Sequence, residues 1–324
     1  MKKTNLPINA NLPDASRLVY GCMGLGGGWS TSPYTRADVK HTHDVIETAL
    51  ENGITTFDHA DIYTFGKAEQ VFGDVLEQRA ELRDRILIQS KCGIRLADEK
   101  GPKRYDFSAQ WIEQSVEGIL QRLRIEQLDV LLLHRPDPLM DVDEVGNALN
   151  ALVQQGKVAH IGVSNMHSGQ MEWLQSRLEH PLVANQIEMS LLRTDWLEEG
   201  MTTGSALAND NSFDSHLFSY CHRHNIQLQA WGSLAQGKVT SAARATEPHE
   251  RRAAKAVEVL AAEYQTSPEA IALAWLNRLP IGVQPIIGTT NLSRIKACAQ
   301  ASTITLSREH WYYLLESTRG NEVP

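Results

Sequence analysis

The chain has little cysteine, no long apolar run and no long basic run, and each shortage removes a class of protein. Its four cysteines, Cys22, Cys92, Cys221 and Cys298, lie far apart in 324 residues and form neither a Cys-x-x-Cys pair nor a zinc-ligand spacing. They read as reduced structural thiols rather than as a disulfide framework or a metal site. Apolar stretches are short against the roughly 20 residues that a membrane span needs, so no segment is expected to cross a bilayer. The formal net charge of −8, with no basic run to offset it, works against nucleic acid or an anionic membrane as partner. A small anion remains compatible, because a helix N-terminus and an arginine make a local positive site inside an acidic protein. Met1-Lys2-Lys3 has the charge of a signal-peptide start, but Asn5, Pro7, Asn9, Asn11, Pro13 and Asp14 stand where its apolar core should be. A cytoplasmic protein is the expectation.

What is present is an alternation. Hydrophobic residues make up 42% and charged residues 22%, ordinary values for a globular enzyme. Short apolar runs at 18–22, 55–58, 86–91, 128–134, 160–164, 183–188, 226–231 and 283–287 read as strands. Amphipathic stretches at 36–52, 68–79, 108–123, 143–155, 213–224 and 251–264 read as helices between them, and Ser267-Pro268-Glu269 opens another with Ser267 as N-cap. Eight strands, each followed by a helical pattern, predict an α/β fold, one (β/α)₈ TIM barrel over residues 1–324. Residues 1–17 form an extension that either closes the bottom of the barrel or is mobile. The tail 307–324, with Trp311, Tyr312, Leu314 and Leu315, predicts a closing helix. Irregular stretches fall at 24–35, 96–107, 190–212 and 236–250, and the last three are long enough to cover a ligand.

Three strands end on ionisable residues: Thr55-Thr56-Phe57-Asp58, Ile86-Leu87-Ile88-Gln89-Ser90-Lys91 and Asp129-Val130-Leu131-Leu132-Leu133-His134. In a barrel of parallel strands those ends meet on one face. Alone, Asp58 reads as a polar cap for the next helix, His134 as a satisfied core residue and Tyr63 as a surface aromatic in the following loop. Lys91 changes the balance, because a lysine pointing into a barrel needs a compensating carboxylate, and Asp58 is the obvious one. Tyr63, beside that ammonium, is then expected to have its pKa lowered toward a useful range, which supplies a proton donor.

Asp58, Tyr63, Lys91 and His134, in this order and at successive strand ends, resemble the catalytic tetrad of the aldo-keto reductase superfamily. The likeness extends through Gly162-Val163-Ser164-Asn165, Asn185-Gln186, Trp231-Gly232-Ser233-Leu234-Ala235-Gln236-Gly237 and Pro285-Ile286-Ile287-Gly288, and so spans about residues 17–300. Asp58-His59-Ala60-Asp61-Ile62-Tyr63, Ser90-Lys91-Cys92-Gly93-Ile94 and the segment from His134 to Asp141 are similar to the bacterial YdhF-like oxidoreductases within that superfamily. The resemblance implies an NADP(H)-dependent reduction of aldehydes or ketones to alcohols, with Tyr63 as general acid. It implies Ser164, Asn165 and Gln186 on the nicotinamide carboxamide and Trp231, where relatives have Tyr, stacked on the ring. Cys22, Met23, Asp58, Gly232, Ser233, Leu234, Gly237 and Ile287 would line the rest of the cofactor. Gly288, Thr289, Thr290 and Arg294 would hold the adenosine 2′-phosphate end. Two departures stand out: Gly288 replaces a lysine, and Ala297-Cys298 replaces Glu-Asn near the adenine. Arg294 is then the main phosphate ligand, and NAD is the less favoured cofactor. Trp29, Tyr34, His59 and residues 191–196 are expected to wall a small-molecule carbonyl substrate.

Three look-alike motifs fail on inspection. Gly24-Leu25-Gly26-Gly27-Gly28 lacks the last glycine of a dinucleotide loop because Trp29 occupies it, and Gly232 to Lys238 is followed by Val239 where a phosphate loop needs Ser or Thr. His41 with His43, and His222 with His224, miss the i,i+4 spacing of a zinc helix, so no metal is expected. Two rival functions keep the barrel: a nicotinamide-binding regulatory subunit with little turnover, and an aldolase that forms a Schiff base on Lys91. The sequence leaves substrate, reaction direction and oligomeric state open.

Overall fold

Short apolar strands can be buried on both faces only if helices cover the outside and side chains fill the inside. The chain achieves this in a computed structural model that describes residues 6–205 and 212–324. The strands are β1 (Val19–Gly21), β2 (Thr56–Asp58), β3 (Leu87–Cys92), β4 (Leu128–Leu133), β5 (Val158–Ser164), β6 (Ala184–Glu188), β7 (Gln227–Trp231) and β8 (Gln284–Ile287). All eight pair in parallel with their sequence neighbours, and β8 closes onto β1, giving a (β/α)₈ barrel. Register sets what shares a level: Asp58 pairs with Gly21 on one side and Gln89 on the other, while Gln229 pairs with Gln186 and Gln284.

The helices are α1 (Arg36–Glu51), α2 (Lys67–Gln78), α3 (Ala109–Leu123), α4 (Val142–Gln154), α5 (Ser168–Gln175), α6 (Asp195–Thr202), α7 (Leu217–Arg223), α8 (Pro248–Glu263), α9 (Pro268–Asn277), α10 (Leu292–Ala299) and α11 (Arg308–Arg319). Their starts follow local chemistry. Ser267 accepts from the Ala270 N–H and Pro268 occupies the first helical position. The helix expected from 251 starts earlier, at Pro248, because Glu247 and Glu250 form a reciprocal capping box. The helix expected from 213 starts later, at Leu217, because the Asp214 carboxylate accepts from the Ser168 and His216 N–H groups and turns the chain first.

Three of the stretches expected to be irregular contain regular structure, and α8 enters one of them, 236–250, at Pro248. Ile94–Arg95 pairs with Arg104–Tyr105 in an antiparallel hairpin, pinned by Asp98, which accepts from Arg95 and Arg104. The stretch 190–212 contains α6, and its residues 206–211 lie outside the described residues.

Both ends of the chain close the barrel. Leu6, Ile8, Leu12 and Ala15 pack as a plug on Val130, Leu132, Val183 and Ala184. At the other terminus, Trp311 of α11 stacks on the fully buried Trp275 of α9, with ring centroids 5.2 Å apart. Each indole N–H donates to the other residue's carbonyl, at 3.1 and 3.0 Å. No helix among the described residues is long and apolar enough to cross a membrane.

Ile8 is 1% exposed in the plug. Ile8→Ala is expected to cost about 2–5 kcal/mol in chemical denaturation. A loss below about 0.5 kcal/mol would mean that the segment is not docked in solution.

Candidate active site

Alternation along β2 and β3 sends Asp58, Gln89 and Lys91 into the lumen. The Lys91 ammonium has three donors and uses all of them: on Asp58 Oδ2 at 2.7 Å, on the His59 carbonyl at 2.8 Å and on the Tyr63 hydroxyl oxygen at 3.1 Å. The Tyr63 oxygen therefore accepts from Lys91, and its own proton must point elsewhere. His134, at the end of β4, stands with its ring perpendicular to that of Tyr63, centroids 6.1 Å apart.

Burial opposes the charge on Lys91, yet Asp58 and Tyr63 outweigh it and raise the lysine pKa. For Tyr63 the balance differs from the expectation. Burial pushes the phenol up, and the pull of Lys91 downward does not overcome it. Lys91 thus acts on Tyr63 first by orienting its hydrogen bond. Burial, reinforced by Lys91, Arg135 and Lys103, lowers His134 to about 2, so its imidazole is neutral. A neutral imidazole beside a phenol can donate to an oxygen that gains negative charge, without itself being a cation.

Asp58 is held from its other side as well. Its Oδ1 accepts from Gln89 Nε2 at 2.6 Å and from Gln186 Nε2 at 3.0 Å. Gln186 thus turns its amide donors into the lumen rather than toward Ser164 and Asn165. Ser164 donates to the Gln186 carbonyl at 2.9 Å and accepts from Asn165 Nδ2 at 2.7 Å. Asn165, in the left-handed region at φ +60°, also accepts from the Trp231 indole at 3.0 Å. The Arg135 guanidinium lies over the Trp231 ring, 5.5 Å from its centroid. Ser164, Asn165 and Trp231 therefore form one connected ledge beside His134, whose carbonyl accepts from Asn165.

Other expected ligand residues have mixed placements. Met23 is half exposed, whereas Cys22 and Ile287 are buried and can offer only backbone. Gly232 and Gly237 sit at φ +66° and +83°, turning the chain after β7, and buried Ser233 donates to the Ile286 carbonyl at 2.6 Å. Leu234 is half-buried against the core. Thr289 caps a turn by accepting from the Asn291 N–H, and Thr290 follows it at the head of α10. A Cβ on Gly288 would meet nothing within 4 Å, so the space above it is open. Arg294, in the first turn of α10, lies 3.7 Å from Glu269.

Two of the residues expected on the substrate wall are not at the mouth. His59 follows inward-facing Asp58, so alternation turns it outward, and its fully buried ring packs edge-on against Phe72 of α2. Tyr34 reaches α2 and donates to Asp74 at 2.7 Å. Trp29 is exposed and meets Phe65 edge to face at 5.6 Å. Phe65, two residues past Tyr63 and half exposed, carries no sequence signal beyond that proximity. Within residues 191–196, Leu191 and Trp196 are buried in the core, and Leu192, Thr194 and Asp195 line a separate cavity of about 350 Å³ with Arg319.

Comparison with known proteins agrees with this architecture. Residues 17–318 match the model of the Aldo/keto reductase family. The chain is 37% identical over 314 residues to a 6-dehydroglucose reductase of Agrobacterium fabrum, covering 96% of each. It is 34% identical to the oxidoreductase YdhF of Escherichia coli, again covering 96% of each. Among solved structures it resembles a glycerol dehydrogenase from Gluconobacter oxydans, with TM-score 0.76 and 23% identity over 96% of this chain and 94% of that one. It also resembles an aldo/keto reductase from Klebsiella pneumoniae in complex with NADP and acetate, with TM-score 0.70 and 22% identity over 96% and 93% of the two chains. The chain belongs to the aldo/keto reductase family, and oxidoreductase is the class that this membership supports.

Burial also lowers His59, to about 3, with Lys91 adding to the effect. An unfolded histidine titrates near 6.5. Below that pH the unfolded chain binds the proton that folded His59 refuses, so stability falls as pH falls from about 6.5 toward 3. Burial lifts the Asp61 carboxyl to about 7, and Asp61 titrates in the same window with the opposite sign. The difference between wild type and His59→Leu isolates the histidine. The wild type is expected to show about 1.4 kcal/mol per pH unit more acid destabilisation than the variant between about pH 6 and 4. Parallel stability curves would contradict a neutral, buried His59.

Proposed function

We propose that the protein reduces aldehyde or ketone carbonyls to alcohols with NADPH, Tyr63 delivering the proton. The observation that carries this reading is the exhausted donor set of Lys91, which makes the Tyr63 oxygen an acceptor and turns its proton away from Lys91. A bound reduced nicotinamide would supply the hydride. The chain's own work is to orient a phenol, donate to the carbonyl oxygen and exclude water. His134, neutral and beside the phenol, would donate to that oxygen as its charge grows. After Tyr63 gives its proton, the ammonium of Lys91 at 3.1 Å stabilises the phenolate, and Asp58 keeps Lys91 in place.

The ledge of Ser164, Asn165 and Trp231 fits a flat ring bearing a carboxamide: the indole offers a π face and Asn165 Oδ1, which accepts one bond from Trp231, keeps a second acceptor position, while its amide donors serve His134 and Ser164. Gln186 fits less directly, because its donors serve Asp58 and Gln229. The open space above Gly288 and the first turn of α10, with Arg294, suit an anionic group. That favours NADP over NAD, although Glu269 near Arg294 opposes a second negative charge. The exposed edge-to-face pair of Trp29 and Phe65 supplies an apolar wall near Tyr63. A Schiff base on Lys91 fits poorly, since that amine is fully buried, paired and held protonated.

Tyr63→Phe is expected to lower kcat/KM for an activated aldehyde by about 10²–10⁴-fold while NADPH still quenches tryptophan fluorescence with unchanged affinity. Rates equal to wild type would remove Tyr63 from the chemistry. The panel of carbonyls should include 6-dehydroglucose, because two relatives are named as its reductases. Tight NADPH binding with no turnover across the panel would instead indicate a binding subunit.

Arg294→Ala is expected to weaken NADPH binding by about 10–100-fold, the worth of one charge-assisted hydrogen bond, and to leave NADH affinity within about twofold. Equal losses for both cofactors would mean that Arg294 does not read the 2′-phosphate.

A further inference from the structure

The lumen of a (β/α)₈ barrel is ordinarily filled by branched apolar side chains. Here four glutamines from four strands, each at most 3% exposed, cross it instead: Gln89, Gln186, Gln229 and Gln284. A buried amide left without partners is costly, so the wiring of this group is informative. Gln89 and Gln229 face one another across the barrel and exchange both hydrogen bonds, Nε2 to Oε1, at 2.9 Å in each direction. Gln229 Nε2 also donates to Gln284 Oε1 at 2.9 Å, and Gln284 Nε2 donates to the Ser16 carbonyl at 2.6 Å. At the other end Gln89 Nε2 donates to Asp58 Oδ1 at 2.6 Å. Gln186 Nε2 bridges Asp58 Oδ1 and Gln229 Oε1 at 3.0 and 3.2 Å.

Both ends of this column are pure acceptors, a backbone carbonyl and a carboxylate. Gln284 must therefore show its amine to Ser16 and its oxygen to Gln229. Gln229 must in turn donate to Gln284 and Gln89, and Gln89 must point a hydrogen at Asp58. No amide in the column can flip without facing acceptor to acceptor. The carboxylate plane of Asp58 is thus fixed from the base of the barrel, which leaves Oδ2 for Lys91.

We propose that Gln89 is a positioning residue for the Asp58–Lys91–Tyr63 unit, acting through an amide column that Gln229 and Gln284 anchor to the backbone at Ser16. The proposal rests on Tyr63 as the proton donor. Gln89 makes no side-chain hydrogen bond to Tyr63 or to the ledge of Ser164, Asn165 and Trp231; it acts, with Gln186, by denying Asp58 a second orientation. Without it Oδ1 keeps only the longer bond from Gln186, at 3.0 Å, so the carboxylate is freer to turn off Lys91 and the lysine's hold on the Tyr63 oxygen loosens.

The test is Gln89→Met, which removes both donors at nearly constant volume, with Gln229→Met as a second variant that leaves Asp58's contact with Gln89 but frees Gln89 to turn. In Gln89→Met, kcat is expected to fall about tenfold or more. The alkaline limb of log kcat against pH is expected to move up by about half a unit or more as the ammonium loosens. NADPH affinity should stay as in wild type. Gln229→Met should show the same pattern, smaller. A merely structural glutamine predicts a lower Tm with kcat and the alkaline limb unmoved, and that result overturns the proposal. If Gln89→Met does not fold, the same readouts on Gln229→Met decide. A readout independent of turnover is the ultraviolet titration of Tyr63 in cofactor-free protein, taken as the difference from Tyr63→Phe in each background. If wild type reduces no carbonyl, the reading of function fails, yet a Tyr63 titration that shifts in Gln89→Met still supports the column. An unshifted titration refutes it.

Discussion

The buried pair of Lys91 and Asp58 is the constraint around which the site is arranged. Its side chains are 1% and 3% exposed. Taking two ions out of water costs more than their attraction returns unless further hydrogen bonds complete both partners. Here they do. Lys91 spends its two remaining protons on the His59 carbonyl and Tyr63, and Asp58 spends its second oxygen on two glutamine amides. A lumen of leucine and valine alone would leave Asp58 Oδ1 without those donors. The polar column and the ion pair therefore require each other: the amides need an acceptor at the top, and the carboxylate needs donors from below.

This dependence also bears on the acid role proposed for Tyr63. Proximity to an ammonium suggests a lowered phenol pKa, yet burial outweighs the ammonium in the folded chain. Direction of hydrogen bonding survives that result. A lysine that can only donate forces the phenol to accept, and a phenol that accepts from one side offers its proton on the other. In the proposed reaction the phenol can then remain protonated through the ordinary pH range and still give its proton once a carbonyl oxygen begins to gain charge. His134 fits the same logic, since burial keeps it neutral and its ring stands across from Tyr63.

The barrel was legible because its signal is repetitive: eight apolar runs at strand length, each followed by a helical period, with polar residues at their carboxyl ends. The meeting of Asp58, Lys91 and Tyr63 followed from the same feature, since parallel strands bring their ends to one face whatever the distance along the chain. The misplacements have an equally plain cause. Asp58 and His59 are adjacent, so a strand geometry that turns one inward turns the other outward, and His59 belongs against Phe72. Parity likewise marks Gln89 two residues before Lys91, and Gln229 two before Trp231, as facing the lumen with them. Read singly, each glutamine is an ordinary polar residue in an apolar strand; only closure of the barrel shows that they reach one another. Tyr34 and Phe65 lie in loops, where no periodicity exists to say which way a side chain points.

The loop that carries Tyr63 also carries Phe65, the partner of Trp29. Thr64, Phe65 and Gly66 follow it in succession with φ of +47°, +61° and +83°. The left-handed region suits glycine but strains a β-branched threonine, at about 1–3 kcal/mol for each such residue. The neighbouring loop after β1 holds the strain in place. The Thr64 hydroxyl lies 3.1 Å from the Leu25 carbonyl, and Lys67 donates to the Ser32 carbonyl at 3.0 Å. Gly26 passes so close that a Cβ there would sit 2.8 Å from the Lys67 backbone. Across this turn Tyr63 reaches Lys91 while Phe65, two residues on, faces outward against Trp29. The loop after β1 thus touches both sides of this turn, holding Thr64 and Lys67 by hydrogen bonds and meeting Phe65 through Trp29.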